Sequence, residues 1–149
     1  MQTIDPSVFL APGSRLSGTI TIGKDSSVWY NSVIRGDANQ VRVGERTNIQ
    51  ENCVLHENAS DPICIGNDVT VGHGVILHGC TIGDNTVIGM GAIILNDAQI
   101  GKNCLIGAGS VVTSGTVNTK TAGTYEVEYS VASQENSSLG TARLTVIVQ

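Results

Sequence analysis

The sequence is poor in aromatic residues. One Phe, one Trp and three Tyr among 149 residues exclude a core built on large aromatic anchors, although the length suffices for one ordinary domain with a real core. Positive charge is scarce as well: eight Lys and Arg stand against thirteen Asp and Glu, a net charge of −5. That balance argues against nucleic acid and against an anionic membrane as partners. No apolar run approaches the ~20 residues that a bilayer-spanning helix needs. The N-terminus, M-Q-T-I-D-P, lacks the basic and apolar regions of a secretory signal, so a cytoplasmic location is expected. The four cysteines, Cys53, Cys64, Cys80 and Cys104, show no C-x-x-C spacing, which argues against a thiolate zinc knuckle. They are expected to be reduced, small side chains buried in a β core.

What the chain does have is glycine, 18 residues of it, with many Val and Ile. This is the composition of short strands joined by tight turns. The aliphatics keep a period of six at Ile4, Leu10, Leu16, Ile22, Val28 and Ile34. The series resumes at Val43, Ile49 and Leu55, then at Ile65, Val71 and Leu77, and runs on through Ile82, Ile88, Ile94, Ile100, Ile106 and Val112. The steps between these runs are nine, ten and five residues. A period of six fits neither an α-helix nor a hairpin array. It fits a coil with three flat sides, one hexapeptide per side, each aliphatic pointing into the prism. Gly or Asn beside the aliphatic is expected to relieve the corner, where positive φ is often needed. Eighteen positions at three per turn make six coils, stacked at about 4.8 Å per coil. Residues 1–116 are therefore read as an all-β domain, and they resemble the hexapeptide-repeat proteins, whose fold is a left-handed parallel β-helix.

All three histidines, His56, His73 and His78, lie within 23 residues. His56 follows Leu55 and His78 follows Leu77, so both occupy the same place on side three of successive coils. Their Cα atoms should lie about 5 Å apart, which lets two imidazole nitrogens reach one ion at about 2.0–2.1 Å. Arg35, following Ile34, heads the same column. His73 follows Val71 by two residues and falls on side two, too far around the corner to reach the same ion. Side two of a neighbouring subunit, facing side three of this one, would bring it there. Repeated about a three-fold axis, that heterologous contact closes a homotrimer with three identical sites. Three His with an open fourth position is the pattern of a catalytic zinc, which lowers the pKa of water from 15.7 to about 7.

R-G-D at 35–37, N-I-Q at 48–50, L-H at 55–56 and V-G-H-G-V-I-L-H-G-C-T-I-G at 71–83 resemble the γ-class carbonic anhydrases and their bacterial relatives. The resemblance implies reversible hydration of CO2 to bicarbonate on zinc, with iron or cobalt as other metals that imidazole suits. It implies His56 and His78 as ligands from one subunit and His73 from the next, with roles for Arg35, Asp37, Asn48 and Gln50. Asn48 and Gln50 flank Ile49 on side two, one coil before His73, where an amide could orient the activated water toward CO2. Arg35 and Asp37 are expected to pair across the subunit boundary. Two other functions fit the fold: a hexapeptide acyltransferase, or a metal-binding relative with a thioesterase or assembly role.

The chain departs from this family twice. The insertion after the first ligand is short, E-N-A-S-D-P-I-C, which leaves Glu57 and Asp61 as the acidic candidates for moving protons through water. Surface solvation is the ordinary role for each. In place of the family's C-terminal helix, residues 117–149 show a period of two. Tyr125, Val127, Tyr129 and Val131, then Leu144, Val146 and Val148, alternate with polar residues around Q-E-N-S-S-L-G. This reads as a β-hairpin and resembles the last strands of bacterial immunoglobulin-like surface repeats.

Overall fold

The computed structural model describes residues 1–113 and, beyond them, the strands Thr116–Val117, Gly123–Val131 and Gly140–Val148. The period of six becomes a parallel β-helix of six three-sided coils, consistent with the left-handed winding expected. Each aliphatic pairs with its counterpart one coil on: Ile34 with Leu55, Leu55 with Leu77, and Leu77 with Ile94 on side three. On side two Val28 pairs with Ile49, Ile49 with Val71 and Val71 with Ile88. From Ile22 to Val112 every member of the series is at most 5% exposed. Burying an aliphatic of this size contributes about 1.5–3 kcal/mol, so these columns are the core. Leu10, in the first coil, is 41% exposed, because no coil precedes it.

The corners differ from expectation in one respect. Positive φ does not fall on the glycine after the aliphatic. It falls three residues beyond the aliphatic, on Asp25, Asn31, Asn52, Asp68, Asn85, Asp97 and Asn103 among others, side chains that tolerate this region by local hydrogen bonding. The glycine after the aliphatic instead lets coils stack: a Cβ on Gly44 would come within 2.5 Å of the Gly66 carbonyl oxygen. Beneath the corners, buried hydroxyls satisfy the backbone between coils. Thr47 Oγ1 donates to the Gly66 carbonyl at 2.8 Å and accepts the Val69 N–H at 3.2 Å. Thr86 repeats this arrangement with Gly101 and Cys104. Cys53, Cys64, Cys80 and Cys104 are free thiols. Burial pushes the Cys80 thiol up to about 12. Cys53 is more than filler, because its Sγ donates to the Gly72 carbonyl at 3.1 Å.

The long steps in the series are outward excursions that leave the stacking intact. The strand Val33–Val43 runs around a corner and pairs with Arg15–Ile22, its register shifting between Gly18 and Thr19 so that Asp37, Ala38 and Asn39 are extra. The step from Leu55 to Ile65 holds the short insertion. At the far end Thr116–Val117 pairs in parallel with Gln99–Ile100. Gly123–Val131 and Gly140–Val148 then form the expected antiparallel hairpin, and Ile147 and Val148 dock antiparallel on Leu105 and Cys104 of side two. The residues joining the hairpin strands, where the turn was expected, lie outside those described.

Candidate metal centre

Side three carries the column as its spacing dictates. Arg35 pairs with His56 and His56 with His78 in unbroken parallel register. The side chains project outward next to the buried leucines, and stacking leaves the two imidazoles little choice but to meet. His56 Nδ1 lies 3.1 Å from His78 Nε2, with ring centroids 5.1 Å apart and planes inclined by 65°. His56 Nε2 lies 3.2 Å from Asp37 Oδ1, and Arg35 donates to the other Asp37 oxygen at 2.8 Å. The Arg35 guanidinium, first among the causes, holds the Asp37 carboxyl below its usual range. This ion pair closes within one chain, because the excursion after Gly36 turns Asp37 back over its own column. Within this one chain the pair forms internally.

Glu57 is the largest departure from expectation. It is fully buried, not solvated on the surface: Oε1 accepts the Ala38 N–H at 3.0 Å, and Oε2 has no partner among the described residues. Alternation explains this, since Cys53, Leu55 and Glu57, in and on either side of the strand Val54–His56, are all buried. Its neighbours in the column are Gly36 and Gly79, both buried and without side chains to compete for the space. A ligand atom from each of Asp37, His56 and Glu57 lies within 4.8 Å of the others. A buried carboxyl oxygen without a partner is costly, and this one stands beside the His56 ring.

Asp61, the other acid of the insertion, is half-buried and engaged by side-chain neighbours. It receives Asn96 Nδ2 at 3.3 Å, and Asn96 Oδ1 is within hydrogen-bond distance of His78 Nδ1. Bonds from Ser60 and Asn58, then from Asn96, hold the Asp61 carboxyl below its usual range. Sequence reasoning did not single out Asn96. The signal was its place two residues after Ile94, the place Glu57 holds after Leu55.

His73 stands on side two, as its spacing predicted, and the fold does not bring it to His56 and His78. It is 53% exposed and its Nδ1 lies 2.7 Å from Glu51 Oε2. Trp29, Asn48, Gln50, Glu51 and His73 line a shallow cleft of about 210 Å³. Asn48 is fixed there by its Nδ2, which donates to Ser27 Oγ at 2.7 Å, and the Trp29 indole donates to the same hydroxyl. A carboxylate only accepts hydrogen bonds, so a neutral His73 carries its proton on Nδ1 and leaves Nε2 free. Glu51 and Trp29 were not foreseen. Both follow from the register that stacks side two.

Two family models match the chain. That of the bacterial transferase hexapeptide (six repeats) matches residues 79–114, and that of the bacterial surface protein Ig-like domain matches residues 97–148. In the structure the overlap through Val112 belongs to the coils, since Cys104–Ile106 and Val111–Val112 both pair in parallel with the coil before. The mitochondrial γ carbonic anhydrase 1 of Arabidopsis thaliana is 47% identical over 95 residues, covering 60% of this chain and 34% of that protein. A carbonic anhydrase of Geobacillus kaustophilus is 46% identical over 90 residues, covering 60% of this chain and 50% of its own. The chain thus spans between a third and about half the length of these relatives. Among solved structures, a Bacillus cereus protein provisionally described as an acetyltransferase is 45% identical with a TM-score of 0.77, over 79% of this chain and 70% of that one. A hexapeptide transferase family protein from Anaplasma phagocytophilum is 42% identical with a TM-score of 0.74, over 77% and 68%.

Proposed function

The chain belongs to the hexapeptide-repeat family and is γ-class carbonic anhydrase-like within it, and from that premise we propose that it hydrates CO2 reversibly to bicarbonate. The centre holds zinc between His56 and His78 of one subunit and His73 of the next, in a homotrimer. One observation carries this reading: His56 Nδ1 and His78 Nε2 face each other at 3.1 Å. Two nitrogens on one tetrahedral zinc at 2.0–2.1 Å would lie roughly 3.3 Å apart, so the spacing of the pair suits such an ion. The nearby carboxylates of Asp37 and Glu57 suit a dication. The ion supplies a Lewis acid that brings water to a pKa of about 7, the general value for zinc-bound water in carbonic anhydrases.

The chain's own groups do the rest. Glu51 holds His73 through Nδ1, which leaves Nε2 as the ligand atom. Gln50 offers an amide in that cleft beside Asn48, whose position is fixed by Ser27. These amides orient the reacting water by hydrogen bonding. Arg35 and Asp37 hold His56 from its far side. Glu57 Oε2, with no donor among the described residues, is the open acceptor for the proton that hydration releases. Acyl transfer is the competing reading, favoured by the Bacillus cereus neighbour. It would use the His73–Glu51 pair as a base and leave the stacked histidines without a task.

Metal content and molecular mass measured on the same purified sample, followed by stopped-flow CO2 hydration, test the proposal. One zinc per chain in a trimer, with hydration lost on chelation and regained with zinc, is expected. A metal-free protein that transfers acyl groups would overturn it.

A further inference from the structure

We propose that Asp61 and Asn96 are positioning residues that lock His78 in its Nδ1–H tautomer, so that the Nε2 lone pair faces His56. The insertion after the first histidine is then a support for a ligand of the next coil. The inference follows from what each group can do. An ionised carboxylate only accepts hydrogen bonds, so the Asn96 atom 3.3 Å from Asp61 Oδ2 is the amide nitrogen. That fixes the amide's orientation and turns Oδ1 toward His78 Nδ1. A carbonyl oxygen also only accepts, so Nδ1 carries the proton and a neutral ring keeps its lone pair on Nε2. That atom is the one 3.1 Å from His56.

The surroundings are built to deliver this relay. Asn58 Oδ1 accepts the N–H groups of Ser60 at 2.9 Å and Asp61 at 2.8 Å, and Ser60 Oγ lies 2.9 Å from Asp61 Oδ2. This turn folds the insertion back across the coils, to a partner 35 residues on. Gly79, at φ +54°, sits beneath the crossing, where a Cβ would come within 2.9 Å of Asp61 Cβ and 3.4 Å of Asn96 Cγ. The Asp97 N–H donates to the Gly79 carbonyl at 2.8 Å, clamping the segment that carries Asn96 onto this gap.

Long-range proton–nitrogen correlation on the nitrogen-15-labelled, metal-free full chain at alkaline pH reads the tautomer directly. Zinc affinity by chelator competition is measured beside it. The unaltered chain should show His78 as one Nδ1–H tautomer. Asn96→Leu should move it toward a mixture and weaken zinc binding about 10–100-fold, and Asp61→Ala should act in the same direction. Exchanging the pair, Asp61→Asn with Asn96→Asp, puts the carboxylate on His78 and the amide behind it, and should restore both readouts. That rescue separates positioning from general damage to the fold. A single Nδ1–H tautomer retained in Asn96→Leu, or an exchanged pair that restores nothing, would overturn the proposal. The affinity arm rests on His78 being a zinc ligand. A tautomer that shifts while zinc binding stays constant would support the relay and overturn the metal reading.

Discussion

His73 and His78 are five residues apart in sequence, yet the fold gives them opposite surroundings. On side three, His78 meets His56 across 3.1 Å and has Asn96 behind it. His56 is 28% exposed, flanked by Asp37, with a buried Glu57 next in the chain. On side two, His73 is 53% exposed and has one side-chain partner among the described residues, Glu51. Side three holds its two rings in a network, whereas side two is an open cleft with one oriented ring. In the proposed site the first would fix two ligands and docking of a second subunit would supply the third.

Removing a ring breaks this comparison most severely. His78→Ala and His73→Ala should each abolish zinc binding, because both halves are needed, but they should differ in stability. His78→Ala forfeits two contacts of the network and should cost about 1–3 kcal/mol in denaturant unfolding of the metal-free chain. The exposed His73→Ala should stay within about 0.5 kcal/mol. Equal stability losses would show that side three is no more organised than side two.

The glycines give a smaller, sharper contrast. Gly79 and Gly74 both have positive φ, but a Cβ meets Asp61 at 2.9 Å at the first and nothing within 4 Å at the second. Gly74→Ala should lose only the conformational strain, about 1 kcal/mol, and Gly79→Ala clearly more. Glu57→Gln keeps an acceptor for the Ala38 N–H and should weaken zinc binding by removing a carboxylate from beside the rings. Thermal melts with and without zinc should show a smaller rise in melting temperature on adding zinc. The smallest effect is acidic. Arg35 depresses the Asp37 carboxyl in the folded chain. Its contribution to stability is therefore complete above the unfolded value of about 3.9 and fades as pH falls through the lowered folded value. Arg35→Ala should flatten that acid limb in a pH series of melting temperatures.

The period of six is enough to place the coils, the Arg35–His56–His78 column and the side-two position of His73, because register in a solenoid is arithmetic. The excursions are harder to read. An insertion is not bound by the period, so nothing in E-N-A-S-D-P-I-C announces that Asp61 returns to Asn96. Glu57 is different, since the alternation with Cys53 and Leu55 marks it as inward. An acid in a short loop after a ligand invites a solvent role instead, and glycine at 36 and 79 is the signal that decides for burial. The corner glycines mislead for a similar reason. Gly permits both positive φ and close approach, and only the folded backbone shows that the Gly directly after the aliphatic serves close approach, while positive φ falls three residues beyond, mostly on Asn, Asp or another Gly.

A site divided between chains, as proposed, can be rebuilt by mixing two defective chains. His73→Ala chains keep the side-three pair, and His78→Ala chains keep the side-two ring. Each alone should bind almost no zinc. Unfolded together and refolded as mixed trimers, they should regain about one zinc per mixed trimer, because one interface then joins an intact pair to an intact His73. Mixed trimers that bind no more zinc than either parent would contradict a shared site.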